Sequence, residues 1–114
     1  MVWGNFLSVT LRDAQHLCWK NFRMINEKLD PERGKTWTPL VTASDLLRES
    51  GKIAEVIKSF ENSGTAKKPE CKKTLSTELS NLLIIVFVLS EHYGIELEES
   101  FLETANDYIL KFIR

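Results

Sequence analysis

Apolar positions along the 114-residue chain recur at steps of three and four, and no alternating stretch of strand type competes with them. Leu11, Ala14, Cys18, Phe22, Ile25 and Leu29 form a first stripe. Thr10 and Asp13 stand as a capping-box pair before it, and Pro31 and Gly34 close it. A second stripe, Leu46, Leu47, Ser50, Ile53, Ala54, Ile57 and Phe60, follows an N-cap at Thr42 or Ser44 and ends by Gly64. The polar stretch from Asn62 to Lys73 reads as a solvated loop. A third helix is expected from Thr74 to Tyr93, with Gly94 just past its end. A fourth is expected from Glu98 to Phe112, lined by Phe101, Leu102, Ala105, Tyr108, Ile109 and Phe112. The expectation is one all-α domain, a four-helix bundle spanning residues 1–114.

The third helix adds a constraint. Leu82 to Leu89 is apolar around the whole circumference, and a helix apolar on all sides is buried on all sides. Three other helices have difficulty covering it. A homodimer or larger assembly is therefore expected.

Composition narrows the function classes. Fifteen basic against sixteen acidic residues leave a formal net charge of −1, which argues against a basic nucleic-acid binder and a polybasic membrane anchor. Two cysteines, Cys18 and Cys71, make neither a disulfide scaffold nor a cysteine-rich zinc site. The run Leu82–Leu89 is shorter than the ~20 residues that span a bilayer. The start of the chain lacks a cationic, apolar leader. A soluble, cytoplasmic protein is the expectation, without a nucleic-acid or membrane partner.

Polar residues on apolar faces carry the candidate chemistry. On the second helix Glu49 falls at the edge of the stripe, with Lys52 three residues on. On the third, Glu78 and Asn81 project among Ile85, Val88 and Leu89. An ionised carboxylate buried alone is costly, so each needs a partner. Either the four satisfy one another as a polar network, or the two helices converge on a ligand or cation. His16 and His92 lack metal-type spacing. Trp3, Trp19 and Trp37 are apolar anchors by default, with Trp37 or Trp19 the candidates for stacking on a nucleobase.

These same residues carry a resemblance. Leu47-Arg48-Glu49-Ser50-Gly51-Lys52-Ile53-Ala54-Glu55 is similar to the first motif, roughly E-E-x-G-E-L-A-E, of the MazG-like nucleoside triphosphate pyrophosphohydrolases. Glu78-Leu79-Ser80-Asn81-Leu82-Leu83 resembles the second, E-L-x-D-V-L. Trp37-Thr38-Pro39 resembles a W-T-P segment before the first motif, and Gly94-Ile95-Glu96-Leu97 resembles the turn into the last helix. The likeness runs from about Trp37 to Leu102.

The resemblance implies an all-α fold, a nucleoside triphosphate substrate cleaved to monophosphate and pyrophosphate, and Mg²⁺ held by four acids. Mg²⁺ is a hard cation that wants oxygen ligands. Glu49 and Glu78 match two of the four acids. Lys52 and Asn81 stand at the other two, and Arg48 replaces a further Glu. Thr104 and Tyr108 fall near where the family places a Lys and an Asn. A protonated lysine repels a cation, and one opposing charge at ~4 Å is worth ~4 kcal/mol at an effective dielectric of ~20. Two readings follow: a fold that has lost hydrolysis and binds a nucleotide or partner protein or acts structurally, or a pyrophosphohydrolase with a rearranged site that recruits Glu55 or a neighbouring subunit. In the first, the Lys52 ammonium takes the place of the metal and either pairs with Glu49 and Glu78 or touches a phosphate directly.

Overall fold

A computed structural model describes residues 9–28, 31–32, 38–64 and 68–113. Trp3, Leu29 and Trp37 lie outside the described residues, and with them the stacking role expected of Trp37. Among the described residues four helices follow one another: α1 (Leu11–Lys28), α2 (Pro39–Ser63), α3 (Pro69–His92) and α4 (Leu97–Ile113). The described residues contain no strand, so the all-α class holds.

The helix ends show why these segments are helical. The Thr10 hydroxyl accepts the Asp13 amide at 3.1 Å, and Asp13 Oδ2 accepts the Thr10 amide at 3.3 Å, a reciprocal capping box. α2 starts four residues or more before the expected N-cap. Thr38 caps it instead, accepting the Val41 amide at 3.3 Å. Pro39 sits at the first helical position, where its fixed φ is preorganised and its missing N–H costs nothing. Pro69 starts α3 in the same way, so helix occupies much of the expected polar loop. α3 ends in a Schellman motif: Ile95 N–H reaches Ser90 O at 2.9 Å and Gly94 N–H reaches Glu91 O at 3.2 Å. Gly94 supplies the positive φ of 64° that this turn needs.

α3 is the centre of the molecule and packs on both α1 and α2. α2 and α3 are antiparallel: Thr42 meets His92, and Lys52 meets Glu78 ten residues further along α2. Phe87, Val88 and Cys71 of α3, Ile53 of α2 and Cys18 of α1 are the buried apolar residues. Six polar residues are buried beside them: Gln15, Asn26, Thr42, Glu49, Glu78 and Ser90. By length and composition α3 is long and apolar enough to cross a membrane, the single such helix among the described residues. It carries Glu78 midway.

Three faces differ from expectation. On α1 the buried residues are Gln15, Cys18 and Asn26, while Phe22 and Ile25 are more than one-third exposed. The helix is turned so that Gln15 reaches the α3–α4 turn. Gln15 Nε2 donates to Ile95 O at 2.7 Å and to Glu91 Oε1 at 3.3 Å, and its Oε1 accepts the Leu97 amide at 3.1 Å. On α2 the inward face is Thr42, Glu49 and Ile53, flanked by Val56 and Phe60, and Leu47 is 77% exposed. On α4 no residue is buried. Its main contact is with α1, and the face expected to point inward is open.

Candidate functional site

Thr42, Asp45, Glu49 and Lys52 succeed one another at steps of three and four along α2, so they share one side of that helix. α3 runs antiparallel beside them and brings Glu78 opposite Glu49 and Lys52. Glu49 and Glu78 are both about nine-tenths covered. Lys52 Nζ lies 3.3 Å from Glu78 Oε1, its side chain still more than half exposed.

Glu49 Oε1 and Glu78 Oε2 are buried, and no donor reaches either while both carboxyls are ionised. When one of the two acids carries a proton, it can donate to the other. Glu49 is pushed above the ordinary carboxylate range, first by its hydrogen bond to Glu78, then by burial and the Glu78 charge. Glu78 is held below that range, first by the same hydrogen bond and further by Lys52, against the effect of burial. The site is thus two coupled carboxyls and an ammonium in a row, with Glu49 the acid that keeps a proton to higher pH. Near neighbours cover the two acids, yet they lie close to the molecular surface rather than in a deep interior.

Asn81 does not join this row. It is exposed on α3 and lines a groove of about 470 Å³ with Glu49, Phe22, Ile84 and Ile85. A second hollow of about 330 Å³ shares Phe22, Ile84 and Ile85 and adds Asn26, Thr42, Asp45 and Val88. The two form an apolar trough between α1, α2 and α3 with polar groups along its sides. The sequence stripe had assigned Phe22 to the core and passed over Asn26, Thr42 and Asp45. The signal for Thr42 and Asp45 was their helical register with Glu49.

Two residues lie elsewhere. His16 bridges Glu91 through Nδ1 and Glu96 through Nε2, the latter at 3.2 Å, beside an Arg12–Glu96 pair at 3.2 Å. His92, at the end of α3, meets the Thr42 hydroxyl at 3.0 Å and the edge of Trp19, with ring centroids 5.1 Å apart. Burial lowers its pKa. Trp19 therefore packs on His92 rather than on the trough. Thr104 and Tyr108 are exposed on α4.

The donor set does not fit Mg²⁺. Of the four positions, two are carboxyls, one is an ammonium already paired with one of them, and one is an exposed amide. No group of three or more metal-capable side chains occurs among the described residues. A comparison of the chain with family models, curated proteins and solved structures finds no match. The MazG likeness rests on the motif residues themselves.

Proposed function

We propose that this chain is a MazG-like bundle whose metal cradle has become an internal carboxyl–carboxyl–ammonium network, and that it binds a nucleotide in the adjoining trough without hydrolysing it. The observation that carries this reading is the 3.3 Å approach of Lys52 Nζ to Glu78 Oε1. That contact puts an ammonium against a carboxylate that the family's chemistry needs for Mg²⁺. The Lys52 ammonium offsets the Glu78 charge, which weakens the attraction for a divalent ion. The apolar floor of Phe22, Ile84 and Ile85 suits a planar ring, with Asn26, Asp45 and Asn81 available for hydrogen bonds. Lys52, more than half exposed, is placed to turn toward a phosphate.

The test is pyrophosphate release from the common nucleoside triphosphates with Mg²⁺ or Mn²⁺, run beside calorimetric titration of each nucleotide and of Mg²⁺ alone. The expected result is nucleotide binding without turnover and without micromolar metal affinity. The double variant Lys52→Glu/Asn81→Asp is expected to gain Mg²⁺ binding. Turnover by the wild type that disappears in Glu49→Gln would overturn the reading in favour of a working pyrophosphohydrolase.

A further inference from the structure

The smaller hollow of the trough is lined by a buried polar side chain that has nothing to bond. Asn26 is 5% exposed and lines this hollow beside Thr42, Asp45 and Phe22. Its carboxamide makes no hydrogen bond with the described residues. Other buried polar side chains away from the Glu49–Glu78 pair are satisfied: Gln15 by the α3–α4 turn, Thr42 by His92, and Ser90 by the Val86 carbonyl. A primary amide offers two donors and an acceptor, and burying them unpaired is unfavourable. A molecule that enters the hollow and takes up these bonds relieves that penalty.

Asp45 adds a second requirement. Its Oδ1 accepts from Arg48 Nη2 at 2.8 Å, while Oδ2 has no hydrogen bond among the described residues. A carboxylate accepts and does not donate, whereas an amide does both. The hollow therefore suits a ring edge that turns donors toward Asp45 and an acceptor toward Asn26. Guanine has that edge: N1–H and the N2 amino group are neighbouring donors, and O6 is the acceptor beside them. Adenine has a bare N1 where guanine has N1–H, so a lone pair would face the carboxylate. Cytosine presents acceptors at N3 and O2, and uracil has a single donor between two acceptors. Phe22, partly exposed, gives the ring a face to lie on. Distance along α2 fits a nucleotide laid lengthwise. Asp45 and Lys52 share one side of the helix seven residues apart, ~10 Å at 1.5 Å per residue. That span is comparable with the reach of a nucleoside from its base edge to its 5′-phosphate, which sets the base at Asp45 and the phosphate at Lys52.

We infer that the trough selects guanine nucleotides, with Asp45 accepting from N1–H and the N2 amino group and Asn26 donating to O6. This inference rests on the nucleotide reading above and adds to it the identity of the base.

Calorimetric titration of the full chain with guanosine, inosine and adenosine triphosphates, in chelator and without metal, tests it. The guanosine nucleotide is expected to bind most tightly. The inosine nucleotide lacks the N2 amino donor and should bind about tenfold more weakly, the scale of one hydrogen bond. The adenosine nucleotide loses both donors and sets a lone pair against Asp45, so it should bind about a hundredfold more weakly. Asp45→Asn should lower the guanosine-to-adenosine affinity ratio about tenfold or more, with helical circular dichroism unchanged. Lys52→Ala, at the phosphate end, should weaken both nucleotides alike and leave their ratio where it was. If Asp45→Asn does not fold, the ranking of the three nucleotides on the wild type still decides. Equal affinity for all three would overturn the guanine assignment while leaving the nucleotide reading in place. A ratio unmoved by Asp45→Asn would do the same. Binding of none of the three would overturn both.

Discussion

α3 and α4 are neighbours in sequence, similar in apolar content, and opposite in what they do with it. α3 meets α1 on one side and α2 on the other, and buries Cys71, Glu78, Phe87, Val88 and Ser90. α4 buries nothing. The difference arises at the turn between them. The Schellman motif at Gly94 sends the chain away from α3, and Gln15 fixes the new direction by bonding both sides of the turn. Apolar periodicity thus marks a helix face as one to be covered, but the turn decides whether the cover comes from the same chain.

The largest effect separating the two helices is in their aromatic side chains. Phe87→Ala empties a buried site and is expected to cost about 3–5 kcal/mol, whatever the protein concentration. Phe112→Ala removes a ring that is 72% exposed in one chain. Its cost in the isolated chain should be well below that of Phe87→Ala, and a cost that grows with protein concentration would report a partner on α4. Urea unfolding of both variants across a hundredfold range of concentration distinguishes the cases. Equal, concentration-independent losses would mean that α4 is as self-contained as α3.

The next effect concerns the tie between the two. Gln15→Ala removes the three hydrogen bonds that tie α1 to the α3–α4 turn, at about 0.5–1.5 kcal/mol each. The loss is expected to fall first on α4, whose amides should exchange with solvent well before those of α3. Uniform loss of protection throughout the chain would show that α4 is not hung on this residue.

The smallest effect is a change in pH dependence, confined to α2 and α3. Glu78 has its pKa lowered, so its contribution is present above the unfolded value of about 4.5 and is lost as pH falls through its folded value. Glu49 has its pKa raised, so its contribution is present below that unfolded value and is lost as pH rises through its own folded value. The pair therefore stabilises most between the two folded values and less on either side. In Glu49→Gln the amide donates permanently to Glu78. The decline above pH 4.5 should disappear, while the acid limb remains. Urea midpoints measured from acid to neutral pH in both proteins decide it, and parallel profiles would show that no proton is shared.

Helix existence was legible in the sequence because capping residues and glycines act locally. Thr10 with Asp13, Gly64 and Gly94 each stand where the sequence pattern placed a helix end. The starts of α2 and α3 were less legible. A proline reads equally as a breaker of the preceding segment and as the first residue of the next. Glu49 and Glu78 were legible as acids against the core, because a carboxylate in an apolar stripe is conspicuous. Asn81 was placed there as well, yet it lies at the open rim of the trough. The role of Phe22 was hidden, since an aromatic residue at helical spacing reads the same whether it fills a core or floors a groove. The unburied side of α4 was hidden for the reason given by the turn: periodicity records an apolar face without recording its cover.

Gln15 has a consequence for the order in which the molecule can be made. Its partners Ile95 and Leu97 lie eighty and eighty-two positions further along the chain. Synthesis completes α1 before α4, and the side chain that aims α4 waits until some eighty further residues have been made. The helical hairpin of α2 and α3 needs no such wait, because its halves are close in sequence. Acquiring a direction for α4 is then a late event, and deleting α1 would leave a hairpin carrying a last helix with nothing to set its heading.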